Sequence, residues 1–211
     1  MQLKSILCIL CAGGLAACGG GGDSTSTPAP TAANANTPVV TSNPPATTQT
    51  GAPSAAAPSQ TSTVTAATSC NLPNFQADIL REVNSARAQA RSCGAVAKPA
   101  VGAVAWNNAL YAAASGHSQD MALRNYVAHV NLDGKTIGQR ATSAGYNFAA
   151  LGENIAAGQG TVSEVMAGWL ASPGHCSNIM NGVYTDIAVA CVKTTRFEYP
   201  SYWTMELGKL Q

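Results

Sequence analysis

Charge is scarce in this chain, and neither sign dominates: of 211 residues, 11 are Lys or Arg and 10 are Asp or Glu, for a formal net charge of +1. No basic stripe or charge block is present, which argues against a nucleic-acid partner and against a charged membrane-binding face. No apolar run reaches the ~20 residues that a bilayer-spanning helix needs. Common catalytic signatures are missing as well. There is no metalloprotease helix motif, no Gly-x-Ser-x-Gly elbow, no phosphate loop and no dinucleotide fingerprint. Aromatic residues are 6% of the chain, and none precedes Cys70.

Absences also divide the chain. From Gly19 to Ser69 the sequence is mostly Gly, Ser, Thr, Ala and Pro, and Asp23 is its only charged residue. Such a composition cannot bury enough apolar surface to offset the entropy of ordering, so a disordered tether is expected. Treated as a flexible coil it spans roughly 40 Å. Ahead of it, Lys4 and the apolar run from Ile6 to Ala17 have the shape of a secretory signal with a small-residue processing site. Leu15-Ala16-Ala17-Cys18 resembles a bacterial lipobox, in which the cysteine becomes the lipidated N-terminus. The expected organisation is therefore a signal peptide at 1–17, a lipidated Cys18 opening the linker 18–69, and one domain at 70–211.

Cys8 and Cys11 fall in the segment expected to be removed, which leaves Cys70, Cys93, Cys176 and Cys191 in the domain. An even number in an exported chain reads as a disulfide framework, more so than as a four-Cys zinc site. Four cysteines allow three pairings. The expected one joins Cys70 to Cys93, across one helical segment, and Cys176 to Cys191, from a loop to a nearby strand.

Hydrophobic spacing supplies the elements. Asn74 is placed to cap a helix with Ile79, Leu80, Val83, Ala86 and Ala90 on its apolar side, ending at Cys93-Gly94. Asn107 caps a second helix carrying Leu110, Ala113, Ala114, His117 and Met121 on one face and ending near Asn125. A short helix spans Thr136 to Ala144, with Gly145 past its end. Thr161 and Glu164 form a capping box for a helix that Pro173 and Gly174 stop. Strands are expected at Glu153–Ala156, Asp186–Val192 and Ser201–Leu207, the last with Trp203, Met205 and Leu207 on one side. The class is α+β, with helices against a small, mostly antiparallel sheet.

Three histidines bear on chemistry. His117 lies on an apolar helix face and reads as a core residue hydrogen-bonded to its surroundings. His129 and His175 lie in loops, where binding residues concentrate, and Glu153 stands between them in sequence. Two imidazoles and a carboxylate suffice as the protein ligands of one class of catalytic zinc site. The same groups without metal can do acid–base work.

The order of motifs is informative in its own right. Trp106-Asn107, His117-Ser118-Gln119-Asp120-Met121 and Tyr126-Val127-Ala128-His129 are followed by Asp133-Gly134, Arg140, Gly145-Tyr146 and Gly152-Glu153-Asn154-Ile155. Trp169, Ser172-Pro173-Gly174-His175, Asn178-Ile179-Met180 and Tyr202-Trp203 complete the series. This resembles the bacterial branch of the CAP superfamily, which includes cysteine-rich secretory proteins, antigen five and pathogenesis-related proteins. The resemblance implies a three-layer α-β-α sandwich with a central cleft able to hold a divalent cation such as zinc. His129, Glu153 and His175 match cleft residues, and all three are the expected metal ligands and catalytic candidates. Ser172 stands where eukaryotic members carry a second acid, and Asn154 is a further cleft candidate. The function implied is an envelope-anchored binding module for a small lipid, sterol or peptide ligand. A zinc-dependent hydrolase and a structural or adhesive protein are the alternatives. Gly19 after Cys18 resembles outer-membrane lipoproteins of Gram-negative hosts.

Overall fold

A computed structural model describes residues 63–211. The expected signal peptide at 1–17, the expected lipidation at Cys18 and the expected linker as far as residue 62 lie outside the described residues. The end of the expected linker is part of the fold: Ala66–Thr68 form a 3-10 turn, and Thr68 and Ser69 are buried. Cys70 then donates its backbone N–H to the Cys191 carbonyl.

Helix α1 runs Phe75–Arg87, strands β1 and β2 are Arg91–Cys93 and Val96–Lys98, and β3 is Ala105–Trp106. Helix α2 is Asn108–Arg124, α3 is Ile137–Ser143 and β4 is Phe148–Ala157. Helices α4 (Val162–Ala171) and α5 (Pro173–Ile179) lead to β5 (Asp186–Lys193) and β6 (Ser201–Leu210). The main sheet has the order β3-β5-β6-β4; β5, β6 and β4 pair antiparallel and β3 pairs parallel with β5. Trp203, Met205 and Leu207 on one face pack with apolar residues of α1, α4 and α5. On the other face Leu151 packs with Leu110, Tyr111 and Ile137 of α2 and α3, and Ile155 with Met121. The result is the expected α+β, α-β-α sandwich.

Local chemistry explains most boundaries. Asn107 accepts the backbone N–H groups of Ala109 and Leu110 and so starts α2, while Asn125 ends it in the left-handed region at φ 54°. Thr136 and Gln139 bond reciprocally at the start of α3. Asn74, by contrast, opens α1 in a left-handed conformation without a side-chain cap.

Helix α1 stops at Arg87, short of the expected Cys93. The Arg87 side chain is buried and donates to the carbonyls of Gly102, Ile179, Asn181 and Tyr184. The chain then turns back as the β1–β2 hairpin, with Gly94 at φ +62° in the turn. Pro173 does end α4, but its fixed φ also suits a first helical position. His175 consequently lies in the first turn of α5, where a loop was expected.

The expected disulfide pairing is overturned. Cys70 is bonded to Cys191 and Cys93 to Cys176, with Cα atoms 5.1 and 5.4 Å apart. The reason is that Cys93 belongs to β1 rather than to the end of α1, and the hairpin delivers it to α5. Cys70 sits beside β5 through the Ser69–Cys191 bridge.

Candidate functional site

Glu153 faces the α2–α3 side of the sheet and has no solvent exposure. His129, in the loop after α2, donates from Nδ1 to Glu153 Oε1 at 2.7 Å. Arg140, on the buried side of α3, donates from Nη2 to Glu153 Oε2. His117 of α2 brings Nε2 to 4.0 Å from the same oxygen, although its proton goes to the Ala128 carbonyl at 2.9 Å. On β6, Glu206 is the cross-strand partner of Glu153 and is equally buried.

The loop that carries His129 is held from several sides. Besides the Glu153 bond, Arg140 Nη1 donates to the carbonyls of His129 and Lys135 at 2.9 and 3.0 Å. Asn131 Oδ1 accepts the N–H groups of Asp133 and Lys135, and Arg124 pairs with Asp133 at 2.8 Å. His129 is thus fixed both in position and in tautomer, since Nδ1 carries the proton that Glu153 accepts. Its Nε2 is buried and has no hydrogen-bond partner among the described residues.

Electrostatics follow from this geometry. Burial pushes the Glu153 carboxyl up, but the His129 hydrogen bond and the charge of Arg140 outweigh it and hold its pKa at about 2. Burial and the facing Glu153 charge push Glu206 well above the ordinary carboxylate range. Burial likewise lowers His117, keeping it neutral.

Alternation along β4 separates the other expected residues. Asn154 faces the α5 side, donates to the His175 carbonyl at 3.1 Å and accepts from Asn178 at 2.9 Å. His175 is therefore tied to the Gly-Glu-Asn strand through its main chain. Ser172 is the residue shared between the end of α4 and the start of α5.

The expected two-His, one-Glu metal centre does not fit this arrangement. Both Glu153 oxygens are already engaged, one of them by a guanidinium, and they have no exposure through which to ligate. Among the described residues no group of three or more His, Cys, Asp and Glu is arranged to hold a metal ion. An open concavity of about 710 Å³, lined by Val64, Leu72, Phe75 and Leu80 among others, lies at the start of α1; none of His129, Glu153 or His175 lines it.

Sequence reasoning placed His117 correctly in the core but did not connect it to Glu153. It missed Glu206 and gave Arg140 no role in the site. The signal for both was a charge in a buried phase: Arg140 beside Ala141 on the apolar side of α3, and Glu206 within the apolar run of β6.

A profile of the cysteine-rich secretory protein family, CAP, matches residues 80–207, more than half of the chain. The chain is 38% identical over 97 residues to the uncharacterized protein YkwD of Bacillus subtilis (strain 168), covering 46% of this chain and 36% of that one. It is 33% identical over 84 residues to the uncharacterized membrane protein YlbC of the same organism, covering 40% and 24%. The chain thus spans about a third or less of these relatives' length. Among solved structures, an extracellular protein containing a SCP domain from Bacillus anthracis str. Ames matches at 30% identity and TM-score 0.46, covering 52% of this chain and 34% of that one. An outer surface protein from Borrelia burgdorferi matches at 22% identity and TM-score 0.47, covering 53% and 80%. Family match, motif order and sandwich agree, and the chain belongs to the cysteine-rich secretory protein (CAP) family.

Proposed function

We propose that this protein is an envelope-anchored binding module, lipidated at Cys18, whose domain works outside the cytoplasm at the end of the linker. In a Gram-negative host the anchor would lie in the outer membrane. The ligand is a small apolar molecule or peptide carrying a hydrogen-bond donor for His129 Nε2. The observation that carries this reading is the engagement of Glu153. A zinc-dependent hydrolase needs that carboxylate as a metal ligand or as base for a bound water. A carboxylate held at a pKa of about 2 by His129 and Arg140 is a weak base near neutral pH. A buried imidazole nitrogen without a partner costs on the order of 1–3 kcal/mol, which a ligand's donor recovers.

The test is a titration of ¹⁵N-histidine-labelled, tag-free protein with a panel of short peptides, fatty acids and sterols. A saturable shift of the His129 Nε2 resonance, missing in His129→Ala, supports the reading, and silence across the panel overturns it. Metal analysis runs beside it on wild type and a His129→Ala/His175→Ala variant. Equimolar zinc in the wild type that is lost in the variant would restore a metal-dependent cleft.

A further inference from the structure

Glu206 plays no part in the reading above, yet it is a fully buried carboxyl with little around it to balance a charge. Strand register sets it opposite Glu153, and cross-strand partners on one face stand with their Cβ atoms about 5 Å apart. Both side chains have no exposure.

The groups facing this pair come from four elements. Arg140 of α3 bonds Glu153 and keeps its Nη2 at 4.0 Å from Glu206 Oε1. His117 of α2 lies 4.0 Å from Glu153, with its proton committed to Ala128. His129, from the loop, bonds Glu153. Strand β5 sets Ala188 beside Glu206; its Asp186 stands opposite Gly208 and accepts from Tyr146. The cluster thus holds two carboxyls and a single guanidinium, and that guanidinium is bonded to Glu153.

An ionised Glu206 would be a buried anion facing another anion, with no donor among the described residues hydrogen-bonded to either oxygen, and such a state is costly. A carboxylic acid in the same place has a proton to donate, and Glu153 across the strand pair is an acceptor. We propose that Glu206 is a positioning residue that keeps its proton at neutral pH and directs it at Glu153, so that the cluster carries one negative and one positive charge and His129 stays in its Nδ1–H tautomer. The asymmetry comes from Arg140. It bonds one carboxylate and lies only near the other, so Glu153 stays ionised while burial and the Glu153 charge hold the proton on Glu206. With both ionised, Glu206 would compete for Arg140, and the bond that orients Glu153 toward the imidazole would loosen. None of this requires a ligand, so it stands or falls apart from the binding role.

Infrared spectroscopy of the full chain reads the proton directly. At pH 7 exposed carboxyls, with ordinary pKa values near 4, are ionised. The wild type is expected to keep one protonated-carboxyl band that Glu206→Gln removes. The amide replaces the donor of the neutral acid, so ¹⁵N spectra of Glu206→Gln should retain the Nδ1–H tautomer of His129, whereas Glu206→Ala should show a mixture. Stability supplies a pH readout. A group whose folded pKa is raised loses its contribution as pH climbs from the unfolded toward the folded value. Glu206→Gln should therefore melt above wild type at pH 8, with the difference vanishing by pH 4. A wild type without the band at pH 7, or a band that survives Glu206→Gln, overturns the proposal. Should Glu206→Gln fail to fold, ¹³C-glutamate spectra of the wild type decide alone: all carboxyls ionised at pH 7 refutes it, and one still protonated supports it.

Discussion

Replacing Glu153 by Gln keeps the shape of the side chain and removes its charge. The carboxylate titrates at about 2 in the fold against an ordinary 4.5. At 1.36 kcal/mol per unit the difference corresponds to about 3 kcal/mol of stability at neutral pH. A second route gives a similar figure, since removing one member of a buried ion pair costs about 3–5 kcal/mol. Glu206 moderates the loss, because its carboxyl lies 4.0 Å from Arg140 Nη2 and can ionise once Glu153 is neutral. We therefore expect about 3 kcal/mol for Glu153→Gln, and a Glu153→Gln/Glu206→Gln variant that is worse than additive. The sign with pH is fixed. A group whose folded pKa is depressed contributes fully above its unfolded value and loses that contribution as pH falls through the folded one. The wild type should accordingly lose its advantage between about pH 4.5 and pH 2, where a protonated Glu153 resembles Gln. Urea denaturation of both proteins at several pH values measures the gap, provided the m-values agree. A gap below about 1 kcal/mol at pH 7, or one that does not narrow toward pH 2, would refute the claim that His129 and Arg140 hold this carboxylate ionised.

Two further expectations concern the scaffold. A Cβ on Gly152 would lie 2.6 Å from the Tyr184 hydroxyl, and one on Gly208 2.6 Å from Tyr146 Cε1. Gly152→Ala and Gly208→Ala should each cost about 1–3 kcal/mol in thermal melts, whereas Gly116→Ala, exposed on α2 with nothing within 4 Å, should gain about 0.5–1 kcal/mol. Non-reducing peptide mapping should return the Cys70–Cys191 and Cys93–Cys176 peptides. These bonds close loops of 121 and 83 residues, so loss of either should cost about 4–5 kcal/mol in the chain-entropy account. A Cys70–Cys93 peptide would contradict the fold at β1.

Much of the fold was legible because its signals are local. The Asn107 cap, the Thr136–Gln139 box, Gly145 at φ +85° and the alternation in β6 can each be read in a window of a few residues. The failures are non-local. Helix α1 ends where Arg87 finds four carbonyls 15 to 97 residues away, and no local window contains them. Nearness in sequence pairs Cys70 with Cys93 and Cys176 with Cys191, while the fold bonds cysteines 121 and 83 residues apart. At the site, the His129–Glu153 contact follows the motif resemblance. Arg140 and Glu206 needed the register of β4 on β6 before their charges had a reason to be inside.

That register also joins the motifs that hold the fold to those that form the site. Strand β4 is the outer strand of its sheet, and alternate residues of an edge strand point their backbone groups away from the partner. The carbonyls of Leu151, Glu153 and Ile155 accept, in turn, from the Tyr184 hydroxyl, Asn178 Nδ2 and Trp169 Nε1. Three side chains from α4, α5 and the segment before β5 thus cover the edge that another strand could otherwise join. Gly152 is required there because Tyr184 approaches closer than a Cβ allows. Glu153 is consequently fixed twice, its carbonyl by Asn178 from one layer and its carboxylate by His129 and Arg140 from the other. A carboxylate held by its backbone and its side chain in separate layers has little freedom to swing out toward a ligand. What the site keeps for a ligand is on His129, whose side chain retains 14% exposure and whose Nε2 has no hydrogen-bond partner among the described residues.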